Sequence, residues 1–267
     1  MKNLTSIFSI LVVGLLAQNC SSPTETTESE DSKASAESAI TLSKAPESEA
    51  YETSSLSLKS FSAEKGDAVY TALFDFEVSN YELGIQTPGA DTKGIANSGK
   101  GQHIHLILNN GPYSAHYDPA ASKQLEEGNY VALAFLSRSF HESVKNPNAF
   151  WVDVITVGEP AEELIVDFTA KHLFYSRPKG TYSGKDTQKL MIDFYLLNTE
   201  LSPAGDKIRA TVNNEVFIID EWAPFYVEGL PLGEVKIVLE LIDANGQVIP
   251  GPFNVSERTV KLIEAEA

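Results

Sequence analysis

Four of the chain's five histidines lie between positions 103 and 141, and their spacing suggests metal chemistry. His103 and His105 stand two apart in the run GQHIHLILNN, so on an extended strand both rings leave the same face. His116 follows the turn signal Asn109-Asn110-Gly111, which returns the chain beside those rings. Three neutral imidazoles meeting at one point would suit copper or zinc, so His103, His105 and His116 form the candidate metal set. The same positions are also explained as polar residues on the wet face of a half-buried sheet, a reading supported by Lys207 and Arg209 at the matching places of the second copy.

A second group is basic in an otherwise acidic chain. FLSRSFHESVK (135–145) and FYSRPKGTYSGK (174–185) each bring an aromatic, a serine and an arginine together in what reads as a loop. Guanidinium, hydroxyl and backbone donors so arranged can hold a phosphate or carboxylate. Alternatively, Arg138 and Arg177 pair with local acids and order a junction between domains. The candidate ligand-contact residues are therefore His103, His105, His116, Arg138, His141, Arg177 and Lys179. No catalytic residue is assigned, because the sequence has no Gly-x-Ser-x-Gly elbow, no His-Glu-x-x-His and no phosphate loop. A binding role is expected, not an enzymatic one.

The elements that must position these residues repeat. Asp75, Phe76, Asn80, Glu82 and Leu83 recur as Asp193, Phe194, Asn198, Glu200 and Leu201. GQHIHLILNN recurs as GDKIRATVNN, Tyr117-Asp118-Pro119 as Trp222-Ala223-Pro224, and LEEGNYVALAFL as LPLGEVKIVLEL. Four blocks in one order imply a tandem duplication, residues 56–160 and 161–267. Ile104, Leu106 and Leu108 alternate with the histidine positions, and Ile208, Ala210 and Val212 alternate with Lys207, Arg209 and Thr211. This period of two, with turns at Asn109-Asn110-Gly111 and Ala244-Asn245-Gly246, predicts an all-β chain of two immunoglobulin-like β-sandwich domains. Helical spacing is suggested only for a turn or two near Pro119–Glu127. A cupredoxin-type sandwich fits the periodicity as well. The first copy differs from the second in its imidazoles and in a long small-residue loop, GIQTPGADTKGIANSGK.

The N-terminal residues read as a leader. Lys2, an apolar run over residues 4–16 and Cys20 follow the order of a signal peptide (1–19) ending at a lipidated cysteine. Ordinary secretion with an incidental thiol is the plainer alternative. The run is short for a permanent membrane span. Residues 20–55, rich in Ser, Thr, Glu and Ala, are expected to be a disordered acidic tether. The single cysteine excludes an intrachain disulfide and any multi-cysteine metal site. A formal charge of −17 argues against a nucleic-acid partner.

The runs GQHIHLILNNGPY, FLSRSFHESVK, LFYSRPKGTYSG and WAPFYVEGLPLGE together resemble a family of Gram-negative lipoproteins labelled "phosphopeptide-binding protein". The resemblance covers the chain from about Val69 to the C-terminus. It implies an envelope binding protein with two sandwich domains and a protein or peptide ligand. Ser21 after the cysteine, by the same resemblance, implies delivery to the outer membrane. The alternatives carried forward are a copper or zinc handler in the envelope and a structural or adhesive module.

Overall fold

A computed structural model describes residues 39–265. The leader, Cys20 and most of the expected tether lie outside these residues. Among the described residues no helix is long and apolar enough to cross a membrane.

The chain runs β1 (Thr41–Lys44), β2 (Ser55–Lys65), β3 (Tyr70–Ser79), β4 (His103–Leu108), β5 (Ser114–His116), β6 (Ala120–Leu125), β7 (Gly128–Ser137) and β8 (Phe150–Val157). It continues with β9 (His172–Arg177), β10 (Thr181–Ser183), β11 (Lys189–Leu197), β12 (Lys207–Val212), β13 (Glu215–Ile219), β14 (Phe225–Glu228), β15 (Gly233–Ile242) and β16 (Val255–Ile263). Two immunoglobulin-like sandwiches result. In the first, the sheet β2-β3-β6 faces β5-β4-β7-β8; in the second, β9-β11-β14 faces β13-β12-β15-β16. The strand orders correspond one to one across the blocks read as duplicated.

The repeated asparagines do the same work in both copies. Asn109 and Asn213 take left-handed φ of 49° and 53°, where asparagine is tolerated. Each exchanges two bonds with the strand three further along the chain, β7 in the first copy and β15 in the second. Asn109 N–H donates to Val131 O and its Oδ1 accepts from Val131 N–H, both at 2.8 Å. Asn213 does the same with Lys236, at 2.7 and 3.0 Å.

Three departures from the sequence reading follow. The expected helical turn near Pro119–Glu127 is strand β6, which pairs with β3 as β14 pairs with β11. The expected disorder to residue 55 is corrected over 39–55: β1 adds antiparallel to β14, Thr41 opposite Glu228 through Lys44 opposite Phe225. Ile40 and Leu42 pack on the second core, which supplies the apolar burial that composition hid. Lastly, the histidine-bearing face of β4 is not wet.

That face is covered because the two sandwiches stack. Ile107 of β4 and Val131, Leu133 and Phe135 of β7 bury against Phe174 of β9 and Tyr195 and Leu197 of β11. Phe135 stacks on Tyr195 with centroids 4.8 Å apart. This third core lies between the separate cores of each sandwich, giving four sheet layers. Polar contacts close its edges. Asn110 Oδ1 accepts from Tyr175 N–H at 2.8 Å, and Arg258 spans carbonyls of both sandwiches.

Candidate metal centre

The site is built at the edge of this middle layer. In β4, His103 and His105 project toward the second sandwich and are fully buried. The third ring is His141, from the turn after β7. There His141 N–H donates to Arg138 O at 2.8 Å and Arg138 N–H to Glu142 O at 2.9 Å. His141 takes a φ of +70°, a conformation that glycine holds freely and a histidine holds only with strain of about 1 kcal/mol or more. The strained turn aims its imidazole at β4.

The nitrogens converge. His103 Nε2 lies 2.9 Å from His105 Nε2 and 3.1 Å from His141 Nδ1, and one nitrogen of each ring falls within 4.8 Å of the others. Ions such as zinc bind imidazole at about 2.0–2.1 Å, which for a tetrahedral ion spaces the nitrogens about 3.3 Å apart. Two of the three separations are within half an ångström of that spacing, and the third is no more than 4.8 Å.

The protonation states suit a ligand set. Burial pushes His103 down to about 4, with Arg177, His116 and Lys179 adding to the shift against a bond to the Gly101 carbonyl. Burial likewise pushes His105 well below its usual value, with help from His103 and His141. It pushes His141 the same way, helped by Arg177 and His103. All three rings are therefore neutral at neutral pH. His103 Nδ1–H donates to Gly101 O at 2.8 Å, which fixes its tautomer and leaves Nε2 as a bare lone pair. Two other ring nitrogens point at that lone pair. Any placement of protons either sets lone pairs against each other or makes two donors share one acceptor. A cation removes the conflict.

His116 is not in the cluster, which corrects the sequence-based metal set. Ile104 pairs with His116 and His105 with Ala115, so the register puts His116 on the opposite face from His105. Its Nε2 bonds Ser114 Oγ at 2.8 Å instead. The residue missed by sequence reasoning is Tyr113, which the same register returns to the face of His105. Its ring stacks on His105 with centroids 3.5 Å apart, and its hydroxyl lies 3.2 Å from His141 Nδ1. Burial pushes this phenol up, while Arg177 and Arg258 pull the other way. Pairing the strands outward from the Asn109–Gly111 turn would have found Tyr113 and excluded His116.

The basic candidates separate. Arg138 is buried: it pairs with Glu142 at 3.2 Å, donates to Ser143 O at 3.0 Å and reaches Glu49 O. Beside it lies a cavity of about 280 Å³ that includes Lys44, Lys145 and Trp222. Its cations are matched, Lys44 to Glu221 and Lys145 to Asp193. Arg177 and Lys179 lie near the imidazoles. Lys179 Nζ donates to Tyr113 O at 2.7 Å and is pushed down to about 8 by burial and by Arg177 and Arg258. Arg177 is buried, and its Nε finds no hydrogen-bond partner among the described residues.

No protein-family profile and no curated protein matches the chain. It is similar to several solved structures, among them three that align over most of its length. One is the fibronectin(III)-like modules of CbhA from Clostridium thermocellum, at 13% identity over 78% of this chain and 94% of that one, with a TM-score of 0.27. The tandem V-type regions of the chitin-binding protein VCBP3 match at 6% identity over 84% and 99%, with a TM-score of 0.21. Domains 4 and 5 of the S-layer protein SbsC match at 10% identity over 79% and 97%, with a TM-score of 0.19.

Proposed function

We propose that this protein binds one copper or zinc ion through His103 Nε2, His105 Nε2 and His141 Nδ1, as a binding protein of the cell envelope. The observation that carries the reading is the convergence of three neutral, buried imidazoles on the bare lone pair of His103. Neutral nitrogen donors without thiolate suit copper and zinc better than calcium or magnesium, which prefer oxygen. The phosphate-binding alternative has less support, because both Nη groups of Arg138 are already directed at Glu142, Ser143 and Glu49.

His141→Gly is the informative variant, since glycine relaxes the positive φ while removing a ligand. Calorimetric titration with zinc and with cuprous ion should show one-to-one binding by the wild type. The variant should bind at least roughly a hundredfold more weakly, since even outer-shell changes cost tenfold to a hundredfold. Its metal-free melting temperature should be unchanged or higher. Equal affinity in the variant, or no saturable binding by the wild type, defeats the reading. The envelope location rests on Lys2, the apolar run over residues 4–16 and Cys20. Cys20→Ser should move the protein from the membrane to the soluble fraction, and continued membrane retention counts against a lipid anchor.

A further inference from the structure

Three imidazoles leave one side of an ion uncovered, and the group nearest that side is a phenol. Tyr113 is 3% exposed, and its hydroxyl lies 3.2 Å from His141 Nδ1, itself 3.1 Å from His103 Nε2. The four donor atoms thus form one contiguous group. The ring has little freedom to leave. It stacks on His105 at an interplanar angle of 14°, and Lys179 holds its carbonyl.

The charge around it is one-sided. Lys179 Nζ sits 3.9 Å from the centroid of the Tyr113 ring. Arg177 and Arg258 are the other two cations close to it. None of these three cations has a carboxylate within ion-pairing distance among the described residues, in a protein whose formal charge is −17. Arg177 is buried with its Nε unpartnered, an arrangement that costs free energy unless an anion stands nearby. A divalent ion held by three neutral rings beside these cations also lacks an anion. A phenolate at position 113 would supply one charge to both.

We propose, resting on the metal-binding reading above, that Tyr113 is the fourth ligand of the ion. On binding, the phenol O–H bond breaks, the proton leaves to water, and the oxygen donates an electron pair to the metal; no electron changes hands. Lys179 is then a positioning residue that holds Tyr113 through its carbonyl and ring face and does not touch the ion.

Copper(II) makes this visible, because a coordinated phenolate gives a charge-transfer band in the visible that imidazole alone does not. The full-length protein loaded with one equivalent of copper(II) should show that band. Tyr113→Phe keeps the aromatic stack on His105, so it should fold, still take one copper, and lack the band. Its affinity should fall by roughly tenfold or more. A band of equal strength in Tyr113→Phe overturns the assignment, as does a wild type that loads one copper without the band. A wild type that takes up no copper, or one whose uptake ignores His141→Gly, overturns the trihistidine site itself; that result is read from stoichiometry and is separate from the spectrum.

Discussion

Asp193→Ala is expected to destabilise the protein by about 3–5 kcal/mol, the range for removing one partner of a buried ion pair. Asp193 is completely buried in β11. Its carboxylate accepts from Lys145 Nζ at 2.6 Å, from Ser143 Oγ at 3.0 Å and from Ser143 N–H at 3.2 Å. All three donors belong to the first sandwich, so one carboxylate ties the loop after β7 to the second sandwich. With the carboxylate gone, a largely buried ammonium and two further donors are left without their acceptor. Urea unfolding measures the loss; for a chain of this size it corresponds to a fall in melting temperature of roughly 10 °C. Ser143 lies two residues beyond His141, so the variant should also weaken metal binding. Replacing both partners, Asp193→Leu with Lys145→Met, should recover most of the stability, because the penalty comes from the orphaned charge. A single variant within about 1 kcal/mol of wild type would show that the pair is not isolated from water.

The second large effect belongs to Arg258 on β16. Its Nη1 donates to Ser176 O at 2.9 Å. Its Nη2 donates to Tyr175 O at 2.6 Å, Gly111 O at 2.8 Å and Asn110 O at 3.2 Å. The guanidinium also lies 4.3 Å from the centre of the Tyr175 ring. Two of these carbonyls belong to β9 and two to the turn after β4, so a single side chain closes the rim of the middle core. Hydrogen bonds from a charged donor contribute about 1.5–3 kcal/mol each, and they are not additive at one site. Arg258→Ala should therefore cost at least about 3 kcal/mol in urea unfolding. Arg258→Lys should restore less than half of that, because an ammonium cannot reproduce the planar fork. Full rescue by lysine would mean that the charge matters and the geometry does not.

Why the duplication was legible while the junction was not can be argued from particular strands. Asn109 and Asn213 carry the same sequence, conformation and bonds, so the repeat translated directly into a common strand order. Asp75 and Asp193 match as well, yet Asp75 is half-exposed and pairs with Lys59, while Asp193 is fully buried. A local match cannot report what lies across a second face. The covering of β4 did leave a trace. Residues 131–136, VALAFL, are apolar without alternation, as are 173–175 and 194–197, whereas the counterpart KIVLEL in β15 alternates. Unbroken apolar strands are buried on both faces. The histidines were legible as a type and a strand position, and the choice between His116 and His141 was not. The first is excluded by a one-residue register and the second is delivered by a turn with positive φ. β1 was invisible for a different reason: four residues inside a Ser- and Glu-rich stretch carry too little period to register.

That short strand also sets an order of events. Translation yields β1 first and its mate β14 only once residue 228 has been made, after an entire sandwich has emerged in between. Joining ends so far apart adds little to the equilibrium cost, since closure entropy grows only with the logarithm of loop length. It does slow completion, because a contact so remote along the polypeptide cannot contribute until the intervening chain exists. A nascent chain arrested before that point would carry one strand with no neighbour, an opening for a chaperone or for another copy to fill.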